Sequence, residues 1–485
     1  MHEVPKWETR LLINGALEAG DGVEFSVDNP ATAEVLTVLR GASIPQVGRG
    51  VDAAASALGR GGWRDRQLRH RCMHRLADVL ETRADDLVAA IVTEVGTPIS
   101  LARSLQVGTA IETLRWFADA ALVDRRIDLG PEPGGRTASI VDHHPIGVVA
   151  AITAYNYPLL LAIQKIGAAF AAGCSTVLLP SPQAPLTTLL LAQAAVEAEF
   201  PPGVLNVLVG GIEVGRALTT HPGVAKVTFT GSVAVGREIM QDAAGGLRSV
   251  VLELGGKSPA VVLPEADFEQ IVEPIHTRYL RNAGQGCSSP TRIFVPQDRY
   301  DEFAAASRDA YDRIKVGDPW AQDTIVGPVI SARHRDRIQG YVDEAVGDGA
   351  EVLAGGEAPK FPGGWWAAPT LVGNVANTSR IASEEIFGPV AVLLPYRDVE
   401  QAIELANQSS LGLAAAVWGP LEDAMVLAGR LEAGSVSING AGVSRPDAPL
   451  AGWKDSGIGA ERGEFGIHEF LVTQHVQWPV ASHGR

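Results

Sequence analysis

Between residues 145 and 254, short apolar runs alternate with longer stretches of helical spacing: IGVVAAI, PLLLAIQKIGAAFAAG, STVLL, TTLLLAQAAVEAEF, LNVLV, EVGRALTTH, KVTF, SVAVGREIMQDAAG and SVVLEL. Unbroken apolar strands separated by helices predict parallel βαβ units, because such a sheet is covered on both faces. The pattern is that of a doubly wound, Rossmann-like α/β domain. A second alternation follows: a strand over residues 291–295, a helix over 299–313, VGPVI, HRDRIQGYVDEAVGDG, EVLAG, VAVLLPY, VEQAIELANQ, AAAVWG, MVLAGRLEAG and SVSING. It predicts a second α/β domain reaching about Ala451, with a cleft where the two meet near Glu253.

Residues 125–144, with the Pro and Gly cluster GPEPGGR, separate a helical N-terminal region from the first sheet. Alternation in TASIVDHH and in the tail's FLVTQHVQW predicts two exposed strands, which either pair between subunits or form a surface hairpin. From 145 to 180 the only charged side chain is Lys165. Yet Tyr155, Asn156, Tyr157 and Pro158 interrupt this stretch, and neither half has the roughly 20 apolar residues a bilayer demands. No membrane partner is expected.

A chain of 485 residues exceeds a single core. Its net charge of −16 argues against nucleic acid or anionic lipid as a partner. Three cysteines occur, Cys72, Cys174 and Cys287, with no CxxC pair. No histidine cluster at metal-ligand spacing is apparent, so neither a disulfide framework nor a metal site is expected. MHEVPKWETR lacks the apolar stretch of a signal peptide, and with so few cysteines the expected compartment is the cytoplasm.

Two windows carry the chemistry. LELGGKSP presents Glu253 and NAGQGCSSPTR presents Cys287, 34 residues apart, each in a glycine-flanked turn. Glycine lets backbone approach a ligand closely, and a thiol beside a base points to covalent catalysis.

With LLING, NPATAEVL, ITAYNYPL, KVTFTGSVAVG, EEIFGPV, LGLAAAVWG and PLAGWKDSGIGAERGEFG, these windows run in an order that resembles the aldehyde dehydrogenase superfamily over nearly the whole chain. The resemblance implies oxidation of an aldehyde to a carboxylic acid with NAD, NADP remaining open, through a thiohemiacetal and a thioester. It implies that Cys287 is the nucleophile, that Asn156 with a backbone N–H stabilises the oxyanion, and that Glu253 activates water. Lys165 and Glu461 match a proton route or support behind that base, or form a plain ion pair. Ile152, Tyr155, Gly231, Ser232, Gly236, Leu254, Glu385 and Phe387 match cofactor contacts. EEIFGP taken alone also reads as a capped turn around one core aromatic. The GxGxxG fingerprint is absent, so the resemblance rather than glycine count carries the cofactor claim.

The domains implied are residues 1–124 and 146–252 for the cofactor, 253–451 for catalysis, and strands at 125–145 and 470–485 for assembly into a homodimer or homotetramer. The pattern breaks in places. Tyr155 stands where the family has Trp, Gln164 where many relatives have a large aromatic, and LLPSPQAP puts Leu179 and Pro182 where Lys and Glu grip the adenosine ribose. With no charged residue close to Cys287 in the sequence, an uncharged aldehyde is expected. Rival readings are a coenzyme A-acylating enzyme, a non-catalytic relative, and a cysteine hydrolase; the last lacks a His motif beside Cys287.

Overall fold

The computed structural model describes residues 7–59, 62–357, 359–441 and 445–480. The first six and last five residues of the assigned segments lie outside these, as do the few internal positions between them. Two parallel-rich sheets dominate. The first has eight strands in the order Ala16–Glu18, Leu11–Ile13, Leu205–Val207, Ser175–Leu179, Val148–Ile152, Lys226–Thr230, Ser249–Glu253 and Gly457–Ile458. Its five inner strands are parallel, and both edges are antiparallel. Chain direction across the sheet reverses at Val148–Ile152, which lies between Ser175–Leu179 and Lys226–Thr230. The crevice beyond the C-terminal ends of strands at such a switch point is where open α/β sheets bind ligands.

Helix Pro158–Ala172 is buried along its whole length, starting on Pro158 and ending on left-handed Gly173 (φ 93°). A helix apolar on every side belongs inside a protein, which accounts for the membrane-like hydropathy of this stretch. Among the described residues, no helix is long and apolar enough to cross a membrane.

The second sheet orders Glu351–Gly355, Thr370–Gly373, Val390–Tyr396, Pro290–Pro296, Ser258–Val262, Ala414–Trp418 and Ser435–Ile438. Each sheet has its own hydrophobic core, and in sequence the division falls between Leu254 and Ala260. Glu253 therefore ends the last inner strand of one core while Lys257 and Ser258 open the other.

Two sequence expectations change, and two regions gain strand partners that the sequence did not indicate. The N-terminal region is not only helical: Leu11–Ile13 and Ala16–Glu18 extend the first sheet and Glu24–Asp28 pairs with Val35–Arg40. VGPVI forms no strand; only a bridge joins Val326 to Val316, since Pro328 lacks a donor and Val329 N–H is used by Trp365 O. The chain beyond Ala451 returns to the first sheet through Gly457–Ile458. Finally, Thr137–Pro145 and Leu471–Pro479 pair with each other over nine positions, and Ile127–Pro131 completes a three-stranded sheet.

Candidate active site

The switch point gathers most of the residues singled out in the sequence. Strand Val148–Ile152 delivers Ile152 and then the turn holding Tyr155 and Asn156; Lys226–Thr230 delivers Gly231 and Ser232; Ser249–Glu253 delivers Glu253 and Leu254. The loop carrying Cys287 closes over them from the second core, with the Cys287 carbonyl so near Gly256 that an added Cβ there would strike it.

That loop is bent by three consecutive left-handed residues, Asn282 (φ 53°), Ala283 (φ 54°) and Gly284 (φ 74°). Such conformations are costly away from glycine and persist only where surroundings enforce them. Asn282 supplies the enforcement: its Oδ1 accepts from Thr97 Oγ1 at 2.6 Å and its Nδ2 donates to Asn156 O at 3.0 Å. Buried Gln285 locks the next turn, accepting from Tyr155 Oη (3.1 Å) and Ile330 N–H (3.0 Å), while its own carbonyl accepts from Asn156 Nδ2 at 2.9 Å. One N–H of the Asn156 amide remains for another acceptor. Gln106 completes the lock, donating to Thr97 Oγ1 at 3.0 Å and to Asn156 O at 3.4 Å; Thr97 and Gln106 are distant in the chain and so were missed in the sequence, although Asn282 and Gln285 sat inside the window.

Burial, reinforced by the charges of Glu385 and Glu253, pushes the Cys287 thiol up to about 12; N–H groups of Cys287 and Ser288 act in the opposite direction. Tyr157 lies within electrostatic reach of the sulfur, and its phenol is likewise raised, chiefly by burial. Glu253 is 3% exposed, and neither carboxylate oxygen meets a hydrogen-bond partner among the described residues. Burial first, then repulsion from Glu461, raises it well above the ordinary carboxylate range, against the pull of Lys165 and Arg462. Behind it Lys165 and Glu461 form a direct, fully buried ion pair, and Lys165 Nζ also donates to Thr228 Oγ1 at 3.1 Å. Arg462, half-buried and within electrostatic reach of Glu461, Glu253 and the Cys287 charge, corrects the expectation of no charged neighbour. Its sequence distance of 175 residues hid it.

The groups available to a dinucleotide converge on the same crevice. Ser232 caps the 12-residue helix Val233–Ala244, accepting from Val235 N–H, so the helix N-terminus faces the switch point. Gly236 is packed against Leu254, where a Cβ would collide with the leucine side chain. The buried hydroxyls of Thr153 and Thr230 have no partner among the described residues, an arrangement that a bound polar group would satisfy. Glu385 accepts from Gly256 N–H at 3.0 Å and is pushed up to about 7 by burial. Phe387 is left-handed (φ 60°), its carbonyl accepting from His334 at 2.7 Å and its ring meeting Tyr155 edge to face at 5.9 Å. A strained aromatic in a crevice is what a ligand clamp requires, so these residues fit a nicotinamide dinucleotide.

The aldehyde dehydrogenase family model matches residues 17–476. The chain belongs to the aldehyde dehydrogenase family. It is 40% identical to geranial dehydrogenase of Castellaniella defragrans over 90% of this chain and 91% of that protein. The NAD+ complex of an aldehyde dehydrogenase from Bacillus cereus matches with a TM-score of 0.94 at 34% identity, covering 98% of this chain and 97% of the other. Aldehyde dehydrogenase C of Pseudomonas syringae, a cysteine-to-alanine variant with NAD+ and octanal, matches with a TM-score of 0.93 at 36% identity and 98% coverage of both. This family member is thus an oxidoreductase acting on aldehydes, and its Rossmann-like and second α/β domains are those expected from the sequence.

Leu179, at the position where the resemblance expects an adenosine ribose contact, is buried, and its carbonyl accepts from Thr153 N–H at 3.1 Å. Pro182 is half-exposed in the following turn. Neither supplies a charge. Gln164 is buried on helix Pro158–Ala172 with its Oε1 lacking a partner among the described residues.

Proposed function

We propose that the chain oxidises a small, uncharged aldehyde to its carboxylic acid with NAD, Cys287 serving as nucleophile. The observation that carries this reading is Glu253: a buried carboxylate without protein hydrogen bonds, within electrostatic reach of the Cys287 sulfur. Burial makes Glu253 the stronger base, suited to taking a proton from water, while the Cys287 proton leaves to solvent before the thiolate attacks. The Cys287 sulfur adds to the aldehyde carbon, and the oxygen's charge is met by the remaining Asn156 amide N–H and the Cys287 backbone N–H. A bound NAD would supply the acceptor for the hydride on this carbon, held by the residues named below. Glu253 then deprotonates water, which attacks the thioester and frees the acid. The Lys165 and Glu461 pair supports Glu253 and carries its proton inward.

The helix N-terminus at Ser232, with Gly231, Gly236, Ile152, Tyr155, Leu254, Glu385 and Phe387, holds the dinucleotide in this reading. The first sheet is its domain, the second sheet the catalytic domain. The three-stranded sheet pairs subunits into a homodimer or homotetramer, supported by the exposed Val472, Val476 and Trp478 on its outer strand. An uncharged substrate is supported by Arg462, whose charge is already balanced by Glu253 and Glu461, and by octanal in the Pseudomonas syringae relative. Replacing Cys287 with Ala should abolish aldehyde-dependent NADH formation, and turnover that survives would remove the assignment.

A further inference from the structure

No metal site is expected from residue spacing along the chain, yet folding assembles a set of ligands remote in sequence from Cys287. His70 and His74 stand four residues apart on helix Arg66–Thr82, and Asp119 faces them from helix Thr109–Ala120. Residues at that spacing share one helix face. His74 Nε2 lies 2.8 Å and His70 Nδ1 3.5 Å from Asp119 Oδ1, and ligand atoms of all three side chains lie within 4.8 Å of one another. The two imidazoles meet edge to face with centroids 4.5 Å apart. Zinc binds such donors at ~2.0–2.2 Å in a tetrahedron, which sets ligand atoms roughly 3.3 Å apart. The separations to Asp119 bracket that value, and binding requires a small opening of the His74 contact together with an approach of ligand atoms that lie up to 4.8 Å apart.

Competing charges close by are already engaged. Arg115, one turn before Asp119, donates to Asp78 and Glu81, and Arg66 donates to Asp124. The imidazoles are half-buried and stiffened by two helices, while Asp119 is exposed, so water has access to a remaining position. His70 Nδ1 also lies 3.2 Å from Ala118 O, a contact that a metal would replace.

We propose that His70, His74 and Asp119 bind a divalent transition metal of the zinc or cobalt class, clipping helix Arg66–Thr82 to helix Thr109–Ala120, with water completing the coordination. The second helix continues from segment Ala102–Gly108, whose Gln106 donates to Thr97 and to Asn156 O. The clip therefore braces scaffold on which the active-site turn rests, and it stabilises the folded chain by mass action.

The test titrates the untagged full chain with Co2+, reading visible absorption and thermal melting, and repeats the melting with Zn2+. The expected result is intense tetrahedral Co2+ bands and a metal-dependent rise in melting temperature, both kept in Cys287→Ala. His70→Ala or His74→Ala should weaken binding by more than roughly tenfold, with dehydrogenase activity in metal-free buffer unchanged. Asp119→Asn should weaken it less. An unaltered spectrum and melting temperature, equal affinity in the His70→Ala/His74→Ala double variant, or binding that vanishes in Cys287→Ala would overturn the proposal.

Discussion

Glu94 and Glu253 are both buried carboxylates, yet they are opposites. Glu94, fully buried on helix Ala84–Val95, accepts from Leu186 N–H at 2.7 Å, from Thr187 N–H at 2.8 Å and from the Thr187 hydroxyl. It caps helix Leu186–Glu197, satisfying donors that a helix start leaves orphaned. Glu253 makes none of these bonds. Burial raises both, to about 7 for Glu94 and well above the ordinary carboxylate range for Glu253. The difference teaches that a displaced titration does not mark chemistry by itself. What distinguishes Glu253 is a desolvated carboxylate left free to bond something that is not protein.

Breaking the comparison from the catalytic side gives the largest effect. Glu253→Gln should slow release of the acid by ~100 to ~10,000 fold in steady-state assays, with the chain as stable as before or more so, because an amide replaces a buried carboxyl that has no hydrogen-bond partner among the described residues. Next in size, Asn156→Ala should lower kcat by ~100 to ~1000 fold, with a smaller change in NAD affinity measured by fluorescence titration. Glu94→Gln should leave kcat near its original value and instead cost about 1–3 kcal/mol in denaturant unfolding, since an amide NH2 then faces an N–H donor.

The same pair separates by pH. A carboxyl whose folded-state value lies above its unfolded one holds more protons when folded, so stability declines as pH rises between the two. For Glu94 this window runs from 4.5 to about 7 and is worth about 3 kcal/mol. Unfolding curves across that window should therefore show a shallower decline in Glu94→Gln. The smallest effect is expected at the adenosine end: Pro182→Glu should raise the preference for NAD over NADP by about tenfold, equivalent to roughly 1.4 kcal/mol, read from kcat/KM with each cofactor.

Much of this was legible along the chain because the informative groups are local. Alternating runs give parallel strands, and glycines flanking Glu253 and Cys287 announce close backbone approach. What stayed hidden depends on distance. Gln285 acquires its role only when Tyr155 and Ile330 fold against it, 130 and 45 residues away. Asn282 looks like a loop residue until Thr97, 185 residues earlier, fixes it in a left-handed turn. Gly457–Ile458 is too short for any periodicity, and it is recruited by the open edge of Ser249–Glu253. Arg462 reaches the reacting groups from the tail by the same return of the chain. His70 and His74 show helical spacing, yet Asp119 on another helix is needed before they form a cluster.

The central claim is that Cys287 carries the acyl group and Glu253 releases it. Mass spectrometry of Glu253→Gln after incubation with an aldehyde and NAD tests it directly. A thioester adduct mapping to the peptide that contains Cys287, and absent from a Cys287→Ala/Glu253→Gln double variant, is the predicted result; an unmodified Cys287 in a chain that still forms NADH would contradict it.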